Sequence, residues 1–510
     1  MFFGYLNITT TVLKSTPLTF VLITRKSRHR AGTRYNTRGL DVAQNLYILG
    51  ATADGSLVAG VASDGRIPNY YHLLGLVEIR RMAGLVQTRG SVPVFWAEVN
   101  NLSYTPKLQI RGVDTAIEAS RRHFDEQIRL YGDNYLVNLV NQKGREERVK
   151  AAYEQIVKLL LSSPVESKQA SEVTSERFHE IESTKRQQLM DRLHYIYFDF
   201  HHECRGLKWH RALLLLDKIG EGLVQQKWFH SVEGGHANTV QSYQQSVVRT
   251  NCMDCLDRTN VVQSMLGRWT LNRQMVDIGV LKEGESIENY VNFEEMYRNA
   301  WADNADVVSR AYSGTGALKT DFTRTGKRTK AGALADLSNS IVRYLRNNYA
   351  DGPRQDAYDL FLGNYLPSAN NISSSLLFVD RRPVLVQSVP YILGAAVFLE
   401  LASLVLPAAG RGGISLKLFA LFWMLVAAWA AVFLKEYGIL YVSWPKLNVP
   451  AFVVEGYAET LQKAKKDKVV GQFLAQGPGS GPFAQHERGA SLSGGVRSMI
   501  HLEEGKKRIE

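Results

Sequence analysis

Two long apolar segments near the C-terminal end constrain what this chain can fold into more than any other feature. Residues 388–407 (SVPYILGAAVFLELASLVLP) carry one charge, Glu400, and residues 418–434 (LFALFWMLVAAWAAVFL) carry none. Each is close to the roughly 20 residues that a helix needs to cross a hydrocarbon core. A short glycine-rich link joins them, so the pattern predicts a C-terminal transmembrane helical hairpin. The alternative is a pair of buried core helices, which the apolar character on all sides of both segments disfavours.

The flanks of this hairpin indicate its orientation. Basic residues stand outside it (Arg381, Arg382, Lys435) and the N-terminus lacks the pattern of a signal peptide. We therefore expect the chain before residue 388 and the tail 435–510, which is partly disordered by its Gly/Ser-rich composition, to be cytosolic. The three cysteines in 510 residues suit a reducing compartment.

The charge balance indicates an anionic partner. The chain has 61 Lys and Arg against 49 Asp and Glu, a net charge of +12. Such a balance favours nucleic acid, an anionic membrane or phosphorylated substrates. The sequence contains no zinc-finger, RNA-binding or basic-zipper pattern, so we expect no nucleic acid partner.

One segment carries recognisable chemistry, the run RTNCMDCLDRTNVVQ at residues 249–263. Cys252 and Arg258 enclose five residues, after an apolar approach (residues 246–248) typical of a strand. Apolar residues then recur at helical spacing (Val262, Met265, Leu266, Trp269). The pattern predicts an α/β domain in which a phosphate-binding loop (P-loop) lies between a strand and a helix N-terminus.

Such a loop is suited to a cysteine phosphatase. Backbone N–H groups and the helix N-terminus bind a tetrahedral anion and lower the pKa of Cys252. Arg258 can grip two phosphate oxygens while the thiolate attacks phosphorus, and water then hydrolyses the phosphocysteine. Asp254 and Asp257 are candidates for the general acid, and the reaction needs no metal or other cofactor. Two alternatives stay open at this stage: a zinc site formed by Cys204, Cys252 and Cys255, or cysteines that are only small buried hydrophobes.

The same run closely resembles the signature of the Sac-domain phosphoinositide phosphatases. Four other blocks resemble that family in its order: RKSRHRAGTRYNTRGLD (25–41), QTRGSVPVFW (87–96), FDFHHECRG (198–206) and TGALKTDFTRTGKRTKAG (315–332). The two apolar segments resemble those of the family member anchored in the endoplasmic reticulum and Golgi membranes. The resemblance implies hydrolysis of phosphatidylinositol 4-phosphate, with the 3-phosphate as a further substrate.

The resemblance also implies residue roles. Cys252 is the nucleophile and Arg258 the phosphate clamp, with Asp254 or Asp257 as the acid. The expected substrate contacts are Met253, Cys255, Leu256, Thr259, Lys327 and Arg328. The basic clusters 25–38 and 319–330 would contact the anionic headgroup and the bilayer surface. Lys507 and Arg508 resemble a dibasic retrieval signal that coat proteins recognise.

Two regions depart from the family pattern. Residues 1–45 hold only a remnant of the N-terminal part and the start of the catalytic domain, and residues 46–84 look like an atypical insertion. We interpret both as gene-model errors, with a real insertion as the alternative, and assign the rest of the catalytic domain to residues 85–380. If the chain is real as written, an inactive membrane-anchored lipid-binding protein is the second hypothesis.

Residue spacing also predicts local structure. Residues 16–26 alternate as a strand does, while 112–162, 170–200 and 334–362 have helical spacing.

Overall fold

The chain divides into two compact units, residues 1–97 with 110–343 and residues 98–109 with 344–510. The computed structural model describes residues 4–25, 32–39, 72–78, 81–167, 177–205, 209–234, 237–254, 256–366, 382, 384–405 and 413–466. Cys255, Lys507 and Arg508 lie outside the described residues, as do most of the expected insertion 46–84 and residues 26–31 of the basic cluster 25–38.

The first unit contains most of the strands. They are β1 Gly4–Leu13, β2 Thr16–Arg25, β3 His72–Glu78, β4 Arg81–Val86, β5 Thr88–Arg89, β6 Trp96–Val99, β7 Lys107–Ile110, β8 Asp133–Asn138, β9 Pro164–Ser167, β10 Phe178–Ser183, β11 Leu193–Phe198, β12 Phe229–Gly234, β13 Ala237–Ser242 and β14 Ser246–Asn251. Strands β6 and β7 pair with each other in a separate two-stranded sheet.

Twelve α-helices are described along the chain. They are α1 Ile117–Tyr131, α2 Glu147–Leu160, α3 Phe200–Glu203, α4 Leu213–Gln226, α5 Asp257–Asp277, α6 Val291–Ser313, α7 Thr320–Thr325, α8 Lys330–Tyr349, α9 Asp351–Leu362, α10 Val384–Val405, α11 Gly413–Glu436 and α12 Ala451–Lys466. Short 3-10 turns include Gly144–Glu146 before α2 and Leu189–Arg192 before β11.

Two six-stranded sheets form the framework of the first unit. One is antiparallel, in the order β1-β2-β3-β4-β12-β13, and the other has the order β5-β14-β8-β11-β10-β9. In the second sheet β5, β14, β8 and β11 are parallel, while β10 and β9 are antiparallel to their neighbours. The carboxyl ends of four strands therefore open at one edge, which is the usual position of a site in an open α/β sheet.

Helix α5 packs against both sheets. Its Leu271 and Met275 pack in one apolar cluster with Phe20 and Leu22 of β2. Its Val262 and Leu266 belong to another cluster that includes Val248 of the mixed sheet. A helix with apolar residues on opposite sides is stable only when both sides are covered, so the sequence of α5 fixes it between the sheets.

Several local predictions are confirmed, namely the strand over 16–26, the strand entering the Cys252 loop, the helix after Arg258 and the helices over 334–362. The helical prediction for 170–200 is wrong, because β10 and β11 occupy its described part. Strand β11 (LHYIYF) is buried at every position and lies between two other strands. Its aromatic and β-branched residues favour a fully buried strand, which has no alternation to reveal it. Within 112–162, β8 interrupts the predicted helix.

Part of the expected insertion also has regular structure. Strand β3 pairs with β2, and β4 joins β3 to β12, so residues 72–78 and 81–86 supply the middle strands of the antiparallel sheet.

The second unit contains the two apolar helices. The segments Val384–Ser403 of α10 and Lys417–Glu436 of α11 are each 20 residues long and apolar enough to cross a membrane. Only 17% and 11% of these segments are buried, which argues against the alternative of two core helices. Elsewhere in this unit the Asp356 carboxylate accepts backbone N–H bonds from Lys446 (2.9 Å) and Leu447 (2.9 Å), so the residues after α11 are fastened to α9.

His194 on β11 gives the mixed sheet a pH-dependent contact. It stacks on Tyr135 of β8 and lies 3.5 Å from the Asp133 carboxylate and 3.7 Å from that of Glu182. Burial alone would lower the pKa of His194, but the two carboxylates outweigh it and raise this pKa to about 9.

We expect His194→Gln to remove a stabilisation that is complete below about pH 6.5 and lost as pH rises through 9. The thermal unfolding midpoint of the full chain in nanodiscs should therefore fall most at pH 6, by the equivalent of up to about 3 kcal/mol, and converge on that of the wild type at pH 10. His202→Gln, at an exposed position, is the control. A difference between wild type and His194→Gln that does not vary with pH would contradict the prediction.

Candidate active site

Cys252 lies directly after β14, at the carboxyl edge of the mixed sheet. Its side chain is buried, and the Thr259 hydroxyl donates a hydrogen bond to Cys252 Sγ (3.4 Å). The loop is short, because α5 begins only a few residues after Cys252. The N–H of Asn260 donates a hydrogen bond to the Leu256 carbonyl in the first turn of this helix. The nucleophile predicted from sequence thus stands between a buried strand and a helix N-terminus.

A chain of buried polar side chains supports the start of this loop. Asn251 donates to the Asn138 side chain (2.7 Å), Asn138 donates to the Tyr195 hydroxyl (2.8 Å), and Tyr195 donates to Glu154 (3.1 Å). These residues come from β14, β8, β11 and α2. Buried networks of this kind fix one arrangement because a broken link would leave a desolvated polar group.

Arg258 is held by the segment that follows β8. Its Nη1 donates to the Leu139 carbonyl (2.9 Å) and to the Asn141 side chain (2.8 Å). The two terminal nitrogens also reach the two Glu146 oxygens, each at 3.0 Å. Burial alone would lower the pKa of Arg258, but Glu146, Cys252 and Asp254 keep that pKa above its usual value. The guanidinium thus grips a carboxylate in the bidentate geometry that also suits phosphate.

Asp254 is an anchor for the residues around Arg34. Arg34 donates to both Asp254 oxygens (3.1 and 2.6 Å), and Arg38 forms a second ion pair with the same carboxylate. Burial alone would raise the pKa of Asp254, but Arg34 and Arg38 outweigh it and hold this pKa well below its usual value. Asp254 therefore stays ionised at neutral pH.

Asp257 has the opposite electrostatic environment. Its burial raises its pKa above the usual value, against the opposing effect of Arg343 at 3.9 Å. One oxygen accepts the Leu318 N–H (2.8 Å). Asp257 is therefore the carboxyl in this loop that more readily holds a proton.

The expected substrate contacts occupy different environments. Met253 and Leu256 are buried, Leu256 with Val308 and Tyr312, whereas Lys327 is exposed. Arg328 is paired with Asp321 and Asp336. The contacts of these residues with substrate stay predictions.

The sequence patterns missed two functional features of this site. Glu146, which holds Arg258, is separated from it by 112 residues, and no local pattern marks it. Arg34 and Arg38 were expected at the membrane surface, yet they pair with Asp254. The sequence signal for them is that they lie in the basic block 25–41. Its positive charges can be neutralised by the acidic residues of the Cys252 loop.

The two described cysteines differ in environment. Burial and the nearby Glu203 raise the pKa of Cys204 to about 12, so it is a neutral thiol at physiological pH. Among the residues that the structure describes, which exclude Cys255, no three His, Cys, Asp or Glu side chains cluster as metal ligands.

Comparison with known proteins connects this geometry to one family. Residues 1–205 match the family described as the SacI homology domain. The chain is 44% identical over 455 residues to phosphatidylinositol-3-phosphatase SAC1 of Saccharomyces cerevisiae, covering 89% of this chain and 66% of that protein. It is 37% identical over 452 residues to phosphatidylinositol-3-phosphatase SAC1 of Drosophila melanogaster, covering 88% and 67%.

A plant relative is more distant. Phosphoinositide phosphatase SAC6 of Arabidopsis thaliana is 33% identical over 433 residues, which cover 84% of this chain and 64% of that protein. The chain thus spans about two thirds of the length of each of these three relatives.

The contact between Glu146 and Arg258 leads to a binding prediction. Replacing Glu146 with Gln removes the charge that competes for the guanidinium, so we expect inorganic phosphate to bind about three- to ten-fold more tightly. The measurement is isothermal titration calorimetry of the full chain in nanodiscs. Glu147→Gln makes the same change at the adjacent exposed position and should leave the affinity unchanged. Equal affinity in wild type and Glu146→Gln would show that phosphate does not compete with this carboxylate.

Proposed function

The chain belongs to the Sac-domain phosphoinositide phosphatase family, and from that premise we propose that it hydrolyses phosphatidylinositol phosphates by cysteine catalysis. The proposed main substrate is phosphatidylinositol 4-phosphate, with the 3-phosphate as a second one. The observation that carries the proposal is the position of Cys252. It is buried at the end of β14 and accepts a hydrogen bond from Thr259 in the first turn of α5. The relatives named as phosphatidylinositol-3-phosphatase and phosphoinositide phosphatase support the coarser part of the proposal, the hydrolysis of phosphoinositides.

In the first step, the Cys252 thiolate attacks phosphorus, the S–P bond forms and the P–O bond to inositol breaks. The hydroxyl of Thr259 stabilises the thiolate by donating to Sγ. The N–H groups at the start of α5 face the same loop and favour an anion there. Arg258 must release the Glu146 carboxylate before it can bind two phosphate oxygens. Substrate binding therefore includes the breaking of the ion pair between Arg258 and Glu146.

The departing inositol oxygen requires a proton, and Asp257 is our choice of donor. Its raised pKa keeps more of it protonated, whereas Asp254 is held ionised by two arginines. In the second step, water attacks phosphorus while the Asp257 carboxylate takes the proton of that water, and the S–P bond breaks. Asp254 has a positioning role, because its ion pairs tie the loop to Arg34 and Arg38.

We also propose that α10 and α11 anchor the chain in the endoplasmic reticulum and Golgi membranes, with the catalytic domain and the C-terminus in the cytosol. The length and apolar composition of both helices support the anchoring. Recognition of Lys507 and Arg508 by coat proteins is part of this proposal.

The function is tested by phosphate release from phosphatidylinositol 4-phosphate in proteoliposomes of the full chain, with a chelator present. We expect turnover in the wild type and a fall of at least about 1,000-fold in Cys252→Ser, because a serine hydroxyl is a far weaker nucleophile near neutral pH. Cys204→Ala, the matched change at a second buried cysteine, should retain activity within a few-fold. Binding of the lipid without turnover in the wild type would favour the inactive lipid-binding alternative.

The assignment of the acid is tested by the pH dependence of the rate. Because Asp257 must be protonated to act, the wild-type rate should fall as pH rises through its raised pKa. Asp257→Asn should lower kcat by about 100-fold or more and abolish that alkaline decline. Asp254→Asn should reduce the thermal unfolding midpoint but keep the decline. A decline that survives in Asp257→Asn would assign the proton to another group.

A further inference from the structure

Helix α8 is oriented with its apolar side outward. The exposed fractions are 67% for Leu334, 57% for Leu337 and 53% for Ile341. The spacing of three and then four residues places them on one side of the helix, and Leu345 continues the stripe at 48% exposure. A helix of a globular protein normally turns such a stripe to the core, so this one calls for a covering surface.

The inner side of α8 is polar, and its contacts prevent the helix from rotating to bury its apolar side. Asp336 accepts the Lys319 N–H (2.9 Å) and pairs with Arg328. Arg343 is buried and donates to Thr315 (3.0 Å) and to the Gly316 carbonyl (2.9 Å). Rotating the helix to bury its leucines would break these contacts and leave charges without partners, which is costly inside a protein.

The outer side also has a charge of one sign. Between residues 326 and 346, all of which the structure describes, the exposed charged side chains are Lys327, Lys330 and Arg346. Asp336, which is the acid in this range, takes part in the inner contacts just described. Apolar side chains bordered by cations are the composition of helices that lie in the interface of an anionic bilayer.

We propose that the outer face of α8, defined by Leu334, Leu337 and Ile341, docks on the anionic surface of a lipid bilayer. This inference rests on the proposed function, since it takes the membrane to be the one that α10 and α11 span. Residues 363–383 separate α9 from α10, and 21 residues extend over at most about 70 Å. The chain therefore keeps α8 within reach of a bilayer, which favours lipid over a protein partner.

Docking on this face would bring the candidate active site close to the lipid. Arg343, on the inner side of α8, lies 3.9 Å from Asp257. The segment that Arg343 binds also contains Leu318, whose N–H donates to Asp257. A bilayer against the outer side would therefore lie close to the proposed acid, with lipid substrate within reach.

The first experiment compares two substrates with the full chain in proteoliposomes that contain phosphatidylserine. The triple variant Leu334→Gln/Leu337→Gln/Ile341→Gln should lose about five- to twenty-fold of its rate on phosphatidylinositol 4-phosphate in the bilayer. Its rate on the water-soluble dibutanoyl form should stay within two-fold. The control variant Leu213→Gln/Val224→Gln/Val291→Gln changes equally exposed apolar residues on α4 and α6 and should leave both rates unchanged.

A second experiment measures docking without any turnover. A genetically encoded fluorescent amino acid replaces Leu337 in the same proteoliposomes, and spin-labelled lipids serve as the quencher. We expect strong quenching at position 337, weaker quenching when phosphatidylserine is left out, and none when the fluorophore replaces Val291. Should the wild type lack phosphatase activity, the proposed function fails while this measurement still decides on docking.

Three results would overturn the proposal. One is equal quenching at positions 337 and 291, and another is loss of both rates in the triple variant with a lowered unfolding midpoint, which would mean that α8 packs inside the protein. The third is a wild-type particle in nanodiscs that contains two copies of the chain, while the triple variant contains one. That result would mean that the outer face of α8 binds a second chain.

Discussion

The parallel pairing of β14 with β8 is the constraint on which the site depends. Its register places Asn251 beside Asn138, and the two side chains hydrogen-bond at 2.7 Å. Because parallel strands end at the same edge, Cys252 follows one strand while the segment from Leu139 to Glu146 follows the other. Backbone pairing thus brings together Cys252, the proposed nucleophile, and Glu146, the carboxylate that holds Arg258.

Electrostatics then differentiates residues that are alike in sequence. Asp254 and Asp257 are three positions apart in one loop, yet arginines lower the pKa of the first and burial raises that of the second. Two carboxyl groups with pKa values moved in opposite directions can divide the tasks of anchor and acid. In the proposed mechanism Arg258 exchanges the Glu146 carboxylate for the phosphate of the substrate, so the free protein would contain a competitor of its own substrate.

The sequence was sufficient wherever the determining contacts are local. Cys252, Arg258, β14 and α5 follow from a short pattern of apolar spacing and a loop of fixed length. Glu146 could not be identified in this way, because its role comes from strand pairing across 112 residues. Strand β11 was mistaken for a helix because burial on both faces removes the alternation that marks a strand. The sequence left the choice of acid open between Asp254 and Asp257, and only the contacts of Asp254 with Arg34 and Arg38 show that its carboxylate is held ionised.

Helix α8 shows a different limit of sequence interpretation. Its existence was predictable from spacing, but the same spacing implies that Leu334, Leu337 and Ile341 face the core. They face outward because Asp336 and Arg343 are committed to ion pairs and hydrogen bonds on the inner side. Turning the helix would instead leave the charges of Asp336 and Arg343 buried without partners, at a cost of several kcal/mol each. An apolar face that a protein cannot turn inward is open to an outside partner, and the partner that we propose is the bilayer that α10 and α11 would span.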